Sequence, residues 1–355
     1  MGDFTNDLPT DFWSLVPFRA ADENQAVPSL GFGLMGLSST YGAVPPDEER
    51  LKVLDRAWEL GATFWDTAQE YGDSEVLVGK WLAKHPERRQ DIFLATKFGI
   101  SWTINDGKVN VFLDSSPENC RKVCGEALQK LGIDYLDIFY VHRFDGKTPV
   151  EKTMEALLEL KKQGKIKHIG FCECSSETLR RGLAMGPVAA VQIEYNPWTL
   201  DIEGQVGTHL LATCRELGVA VVTFSPLGRG FLTGRYKSLD DLEANDARRM
   251  LPRFNPENFP KNLELLKIFQ DLAAKKDATP AQVVLAWILA QGPEFFPIPG
   301  TKNLKYLEQN LGALKVEITA EDDTQIRSTI ESMGGAAGER LPAGVPGSFA
   351  DTPQL

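Results

Sequence analysis

Four side chains in this sequence are of types that together move a proton onto an oxygen: Asp66, Tyr71, Lys97 and His142. A free tyrosine has a pKa of about 10, too high for an efficient acid near neutrality. A lysine cation beside it favours the phenolate and is expected to lower that pKa. An aspartate beside the lysine holds it in place. Lys97 lies in an apolar run, where an unpaired ammonium is costly, and Asp66 is the obvious partner. A histidine can orient and polarise a carbonyl oxygen. The set offers neither a nucleophile nor a group of metal ligands. It suits protonation of an oxygen that gains charge as hydride arrives. Taken singly, each residue has a plainer reading: Asp66 as a helix cap, Lys97 as a surface snorkeller, Tyr71 as a wall.

The elements that must position these four alternate regularly. Short β-rich runs at 30–33, 63–66, 92–97, 135–142, 167–171, 189–194, 219–224 and 295–299 are separated by helical patterns. Those patterns cover 46–60, 74–83, the stretch around Cys120, 149–163, 176–184, 204–217, 262–275 and 279–290, with a last one at 304–311. Repeated βα alternation means a parallel sheet covered by helices. Eight units without a composition break predict an α/β fold, a closed (β/α)8 TIM barrel of about 250 residues plus extensions. The expected organisation is an extension or barrel cap at 1–29, one barrel at 30–333 and a tail at 334–355. Residues 101–116 and 225–260 read as long loops after the third and seventh strands. Loops after strands lie on the face that carries a barrel's active site. Asp66, Lys97 and His142 close the second, third and fourth strands, so they converge there.

Composition narrows the function classes. The 355 residues carry 38 Lys+Arg against 49 Asp+Glu, a formal charge of −11, with 43% hydrophobic and 25% charged residues. This is an ordinary globular mix. An acidic chain with no basic run is a poor nucleic-acid binder. The longest apolar run, 283–290, is far short of the roughly 20 residues of a membrane span. The first residues show no signal-peptide pattern, so a cytoplasmic protein with neither membrane nor nucleic-acid partner is expected. The cysteines 120, 124, 172, 174 and 214 do not suggest a disulfide framework. Cys120 and Cys124 lie on one apolar helical face with Val123, Ala127, Leu128 and Leu131 and read as core. No H-x-H or H-E-x-x-H occurs among the four histidines, which argues against a metal site.

Gly31-Phe-Gly33-Leu-Met-Gly36 matches the dinucleotide fingerprint G-x-G-x-x-G letter for letter. That fingerprint works only where the third glycine opens a helix. Here the helical pattern resumes near Pro46. The glycines read better as a first strand that allows close approach of a ligand or a neighbouring strand.

The order and spacing of several stretches resemble the aldo-keto reductases, most of all their fungal and plant branch. The stretches are Phe64-Trp-Asp66-Thr-Ala-Gln-Glu-Tyr71-Gly72, Ala95-Thr-Lys97, Tyr140-Val-His142-Arg143, Val191-Gln192-Ile-Glu-Tyr-Asn196-Pro197, Phe224-Ser-Pro-Leu-Gly-Arg-Gly230, Ile298-Pro-Gly-Thr-Lys302 and Gln309-Asn310. The resemblance implies a (β/α)8 barrel that binds NADPH across its carboxyl end without a Rossmann fold. It implies alcohol dehydrogenase (NADP+)-type chemistry, with Asp66, Tyr71, Lys97 and His142 as catalytic tetrad and Tyr71 as proton donor. Gln192 then meets the nicotinamide carboxamide, with Cys172 where a Ser is usual. Phe224 stands where a Tyr usually stacks on the nicotinamide. Ser225, Leu227 and Gly228 resemble the loop over the pyrophosphate. Gly300, Thr301 and Lys302 resemble the segment that receives the 2′-phosphate, although Tyr306 stands where some members carry an Arg. Gln309 and Asn310 match the adenine-contacting pair. Gly33, Leu34, Met35 and Asp66 complete the expected cofactor contacts.

Two other readings stay open at this stage. One is a cofactor-binding regulatory subunit of the same fold, as in channel β subunits. The other is a Rossmann dehydrogenase built on 31–36. For the reductase, Tyr41, Trp102, Arg143 and Trp198, with Met35, are the expected pocket walls for a small carbonyl substrate. Lys97, Arg229, Arg235 and Lys302 are expected to make a local positive patch on an acidic protein.

Overall fold

A computed structural model describes residues 15–17, 26–39, 41–105, 108–244, 246–342 and 348–355. Eight strands form one sheet: β1 (Phe32–Gly33), β2 (Phe64–Asp66), β3 (Phe93–Phe98), β4 (Leu136–Val141), β5 (Ile166–Cys172), β6 (Ala190–Glu194), β7 (Ala220–Phe224) and β8 (Phe295–Pro297). Each pairs in parallel with its neighbours in sequence order. The ends of this sheet meet. The Gly31 N–H donates to the Pro297 carbonyl (2.9 Å), the Gly33 N–H to that of Pro299 (3.2 Å), and Gly33 bridges Gly300 in parallel. The sheet is therefore a closed (β/α)8 barrel.

The fingerprint glycines serve this closure. A Cβ on Gly33 would stand 2.8 Å from the Ile298 carbonyl oxygen, and one on Gly31 would stand 2.8 Å from the Ile298 side chain. Gly36 does sit in a helix, but one of four residues, Met35–Ser38, that ends before the chain reaches Asp47. The strand order and this packing replace the Rossmann reading.

Helices α1 (Asp47–Glu59), α2 (Ser74–Lys84), α3 (Pro117–Leu131), α4 (Val150–Lys162), α5 (Ser176–Met185), α6 (Leu210–Leu217), α7 (Phe259–Lys275), α8 (Pro280–Ala290) and α9 (Leu304–Leu311) cover the barrel, and α10 (Ala320–Ser332) follows. Helix α3 shows why such segments form. Ser116 caps it by accepting from the Asn119 N–H, Pro117 occupies the first turn, and Gly132 ends it in left-handed conformation. Its face Cys120, Val123, Cys124, Ala127 and Leu131 is buried against the sheet. Inside the barrel a second cluster, with Phe64, Phe93, Ile138, Val222 and Phe296, fills the axis.

Several elements differ from the sequence expectation. Within 101–116 the chain forms a hairpin, Ile100–Asn105 paired antiparallel with Lys108–Leu113. Helix α6 begins at Leu210, not at 204, because Thr208 and His209 adopt left-handed backbone (φ 55° and 53°). The long segment after β7 is a series of short 3-10 turns, the first at Gly228–Thr233, before α7 starts at Phe259. Helix α10 lies where the sequence suggested no element. Of the expected cap, residues 1–14 and 18–25 lie outside the described residues. Leu15–Pro17 pairs with Ala26–Pro28, and Val27 packs into the interior cluster. Among the described residues no helix is long and apolar enough to cross a membrane.

Candidate active site

Strand ends bring the four proton-handling residues together at the carboxyl face of the barrel. Asp66 is the last residue of β2, Lys97 lies near the end of β3, and His142 directly follows β4. Tyr71 sits in the turn between β2 and α2. That turn is fixed by hydrogen bonds from the Tyr71 N–H to the Ala68 carbonyl (3.1 Å) and from the Gln69 N–H to the Lys97 carbonyl (3.3 Å). Gly72 follows at φ +58°, and a Cβ there would stand 2.7 Å from the Ser38 carbonyl oxygen, so only glycine fits.

Lys97 is fully buried, and its ammonium is satisfied by its neighbours. Nζ donates to Asp66 Oδ1 at 2.5 Å, to the Thr67 carbonyl at 2.8 Å and to Tyr71 Oη at 3.4 Å. The second Asp66 oxygen accepts from Gln192 Nε2 at 2.7 Å. Burial opposes the Lys97 cation, but the Asp66 carboxylate and Tyr71 outweigh it, and the ammonium stays charged above the usual lysine range. The His142 ring meets the Tyr71 ring edge-on, with centroids 5.8 Å apart. Burial, then the Lys97 and Arg143 charges, hold His142 well below its ordinary pKa, so it is neutral.

One electrostatic expectation is corrected. Lys97 does pull the Tyr71 pKa down, but burial pushes it up by more, and the net direction is upward. Tyr71 is thus a neutral phenol across the physiological range. The lysine stabilises the phenolate at the moment it forms and does not pre-ionise it.

The constellation faces a cavity of about 680 Å³. Asp66, Tyr71 and His142 line it directly, while Lys97 lies behind them. Cys172, Gln192 and Phe224 line the same end. Burial pushes the Cys172 thiol up, so it stays a neutral, weak donor. Gly33, Met35, Ser225 and Leu227 line the cavity as well, as do Gly300, Thr301, Lys302, Gln309 and Asn310, with Tyr306. Leu34 and Gly228 are buried behind this wall. Lys302 Nζ donates to the Tyr41 and Ala43 carbonyls (2.9 and 2.8 Å) rather than to a carboxylate.

The expected substrate walls divide. Tyr41 and Arg143 line the cavity, with Arg143 beside His142. Trp102 does not: it sits on the hairpin after β3 and is 47% exposed. Trp198 is buried instead against Phe231, ring centroids 4.3 Å apart. The cationic patch also differs from expectation. Arg229, Arg235 and Lys302 line the cavity, joined by Arg248, but Lys97 is spent on Asp66. Sequence reasoning missed Glu70, whose Oε1 is 3.6 Å from His142 Nδ1. Its position immediately before Tyr71 was the available signal. Glu173, which follows Cys172 where the family carries Asn or Glu, forms an ion pair with Arg340, and sequence reasoning missed that partner.

Known proteins share this architecture and sequence. The chain is 49% identical to the aldo-keto reductase str7 of Strobilurus tenacellus, over 93% of this chain and 96% of that one. It is 46% identical to the aldo-keto reductase yakc [NADP(+)] of Schizosaccharomyces pombe, over 94% and 97%. Among solved structures, the glycerol dehydrogenase AKR11B4 of Gluconobacter oxydans superposes with a TM-score of 0.79 at 25% identity, over 90% of this chain and 95% of that one. Residues 29–331 match the model of the Aldo/keto reductase family, and with the barrel and the strand-end constellation in place the chain belongs to that family.

Proposed function

We propose that this protein reduces an aldehyde or ketone to the alcohol with NADPH, by alcohol dehydrogenase (NADP+)-type chemistry. The observation that carries the reading is the chain Asp66–Lys97–Tyr71, at 2.5 and 3.4 Å, beside a cavity of about 680 Å³. The cavity's lining carries groups for each part of such a cofactor. Amide, thiol and aromatic groups (Gln192, Cys172, Phe224) stand beside the four residues, suited to a carboxamide and a flat ring. Ser225, Leu227 and Gly228 carry the turn suited to a pyrophosphate, with Arg229 and Gly230 in left-handed backbone. Gly300, Thr301 and Lys302 offer a cation without a carboxylate partner for a 2′-phosphate, and Gln309 and Asn310 offer amides for adenine. The yakc relative carries NADP(+) in its name.

When bound, the cofactor supplies the hydride. The chain's own groups do the rest. Neutral His142 donates a hydrogen bond that orients the carbonyl oxygen. Tyr71, held as a phenol, gives that oxygen its proton. Lys97 stabilises the phenolate left behind, and Asp66 fixes Lys97. Tyr41 and Arg143 bound the substrate. Five unpaired cysteines suit a reducing compartment, and we place the enzyme in the cytoplasm.

Tyr71→Phe tests this directly. It should lower NADPH-dependent reduction of a reactive aldehyde by about 10³-fold, within the range for loss of a general acid, while NADPH fluorescence titration is unchanged. Full turnover in this variant would overturn the mechanism.

A further inference from the structure

The tail brings an arginine into the barrel mouth. Arg340 lies 167 positions from Glu173, yet its guanidinium meets that carboxylate at 2.7 Å (Oε1) and 2.5 Å (Oε2). It also reaches Glu194 at 3.5 Å and Ser348 Oγ at 2.7 Å. Its side chain is 10% exposed, and that of Glu173 is completely buried. The tail is anchored on both sides of this contact. Before it, the Ala337 N–H donates to Asn262 Oδ1 (2.8 Å). After it, Ala350 exchanges hydrogen bonds with the β5–α5 connection: its N–H donates to the Glu173 carbonyl (2.8 Å), and its carbonyl accepts from the Ser175 N–H (3.1 Å).

Glu173 in turn ties two strand ends together. Its backbone is left-handed (φ 52°), a conformation that non-glycine residues adopt where the surroundings demand it. Its N–H donates to the Gln192 carbonyl at 3.0 Å, and its Oε1 accepts from the Glu194 N–H at 3.4 Å. Cys172 and Gln192 are register partners across β5 and β6. The Gln192 amide reaches Asp66, and Asp66 holds Lys97. One continuous set of contacts therefore runs from the tail to the proton donor.

We propose that Arg340 is a positioning residue of the reaction: by neutralising Glu173 it fixes Cys172 and Gln192 where the nicotinamide carboxamide is received. The proposal rests on the reductase reading above. Two carboxylates, Glu173 and Glu194, lie buried next to the place where an anionic cofactor binds and a phenolate forms. Removing Arg340 leaves Glu173 with the more distant Arg143 charge and the adjacent Glu194 and Cys172. An ionised buried carboxylate in that setting draws its strand end toward solvent and moves the Gln192 amide, and taking up a proton relieves that pull.

The test compares Arg340→Ala, Arg340→Lys and the double variant Arg340→Ala/Glu173→Gln in the full chain. NADPH affinity and kcat/KM are measured from about pH 5.5 to about pH 8, a range over which an ordinary carboxylate stays ionised. The wild-type profile is the reference, because the NADPH 2′-phosphate itself titrates at about pH 6. Relative to wild type, Arg340→Ala should bind NADPH about tenfold more weakly at the upper end and approach the wild-type affinity toward low pH, as Glu173 takes up its proton. Arg340→Lys should fall between, and the double variant should restore the wild-type profile. A change in melting temperature alone, with affinity and pH profile as in wild type, would overturn the proposal. So would a weakening of the same size and slope in the double variant. A wild-type protein that binds no NADPH would instead overturn the reductase reading, so the two failures are distinguishable.

Discussion

His142 shows how a single buried group links the site to stability. Burial, Lys97 and Arg143 hold its pKa well below 6.5, so the folded protein keeps it neutral where the unfolded chain would protonate it. Below about pH 6.5 the unfolded state therefore binds more protons at this position, and stability must fall as pH drops. The slope from one such group approaches about 1.4 kcal/mol per pH unit. Glu70 works the other way. Burial raises its pKa against the pull of Lys97 and Arg143, so it takes up a proton more readily in the folded state. The comparison with His142→Gln isolates the histidine. Urea unfolding between about pH 7 and about pH 5.5 should show wild type losing about 1 kcal/mol more than the variant. Equal losses in the two proteins would mean that His142 is charged when folded. The same reasoning explains why the tetrad's type and pairing were legible in the sequence while its acidity was not. A lysine in an apolar run announces a partner, and Asp66 is that partner. The degree of burial around Tyr71, which reverses the direction of its pKa shift, is a property of packing that no local pattern carries.

Strands and helices were legible to the extent that their signals are local. The eight β-rich runs stand within a few residues of the observed strands because apolar runs flanked by helical periodicity have few alternatives. The hairpin after β3 was also within reach. Ser-Trp-Thr-Ile-Asn and Lys-Val-Asn-Val-Phe alternate on either side of Asp106-Gly107, which is a strong hairpin signal. Helix α6 was extended too far because nothing in the periodicity of 204–209 shows that Thr208 and His209 adopt left-handed backbone. Closure of the barrel was legible from the count of eight βα units, but the part that Gly31 and Gly33 play in it was not, since they suit a ligand as well as a strand. The structure packs both glycines against the segment after β8, and that makes a prediction at the level of the element. Gly33→Ala places a Cβ 2.8 Å from the Ile298 carbonyl oxygen, a backbone atom that cannot step aside without moving β8. We expect a loss of about 1–3 kcal/mol, the cost of overpacking a closed core, seen as a lower urea midpoint. Gly146→Ala is the control for the packing contribution, because a Cβ there meets nothing within 4 Å, although its φ of +70° carries its own backbone strain. An unchanged midpoint in Gly33→Ala would mean that the first and eighth strands are not held this closely.

At the scale of the whole molecule, a formal charge of −11 has to coexist with an anionic cofactor. The structure shows how little local compensation there is. The segments after β7 and β8 bring Arg229, Arg235, Arg248 and Lys302 to the cavity, but Asp241, Glu243 and Asp246 line it too, and Arg248 is held by Asp246 at 2.6 Å. Four cations against three carboxylates give these segments only a small positive excess. Contact energies there depend on a few ångströms and survive physiological salt. The field felt by an approaching anion depends on the whole surface and does not survive, because the screening length falls from about 30 Å at 0.01 M to about 8 Å at 0.15 M. Affinity and association rate therefore respond to salt differently. Raising salt over that range should speed NADPH association about two- to threefold in stopped-flow fluorescence, since it screens repulsion by the acidic surface. It should change the dissociation rate less. A rate that falls with salt would mean that the cations at the cavity steer the cofactor from a distance and that the net charge is not what the incoming anion meets. The tail belongs to this balance as well. Arg340 neutralises a carboxylate at the mouth, so Arg340→Ala should make association still slower at low salt than in wild type, with the two rates converging as salt is raised.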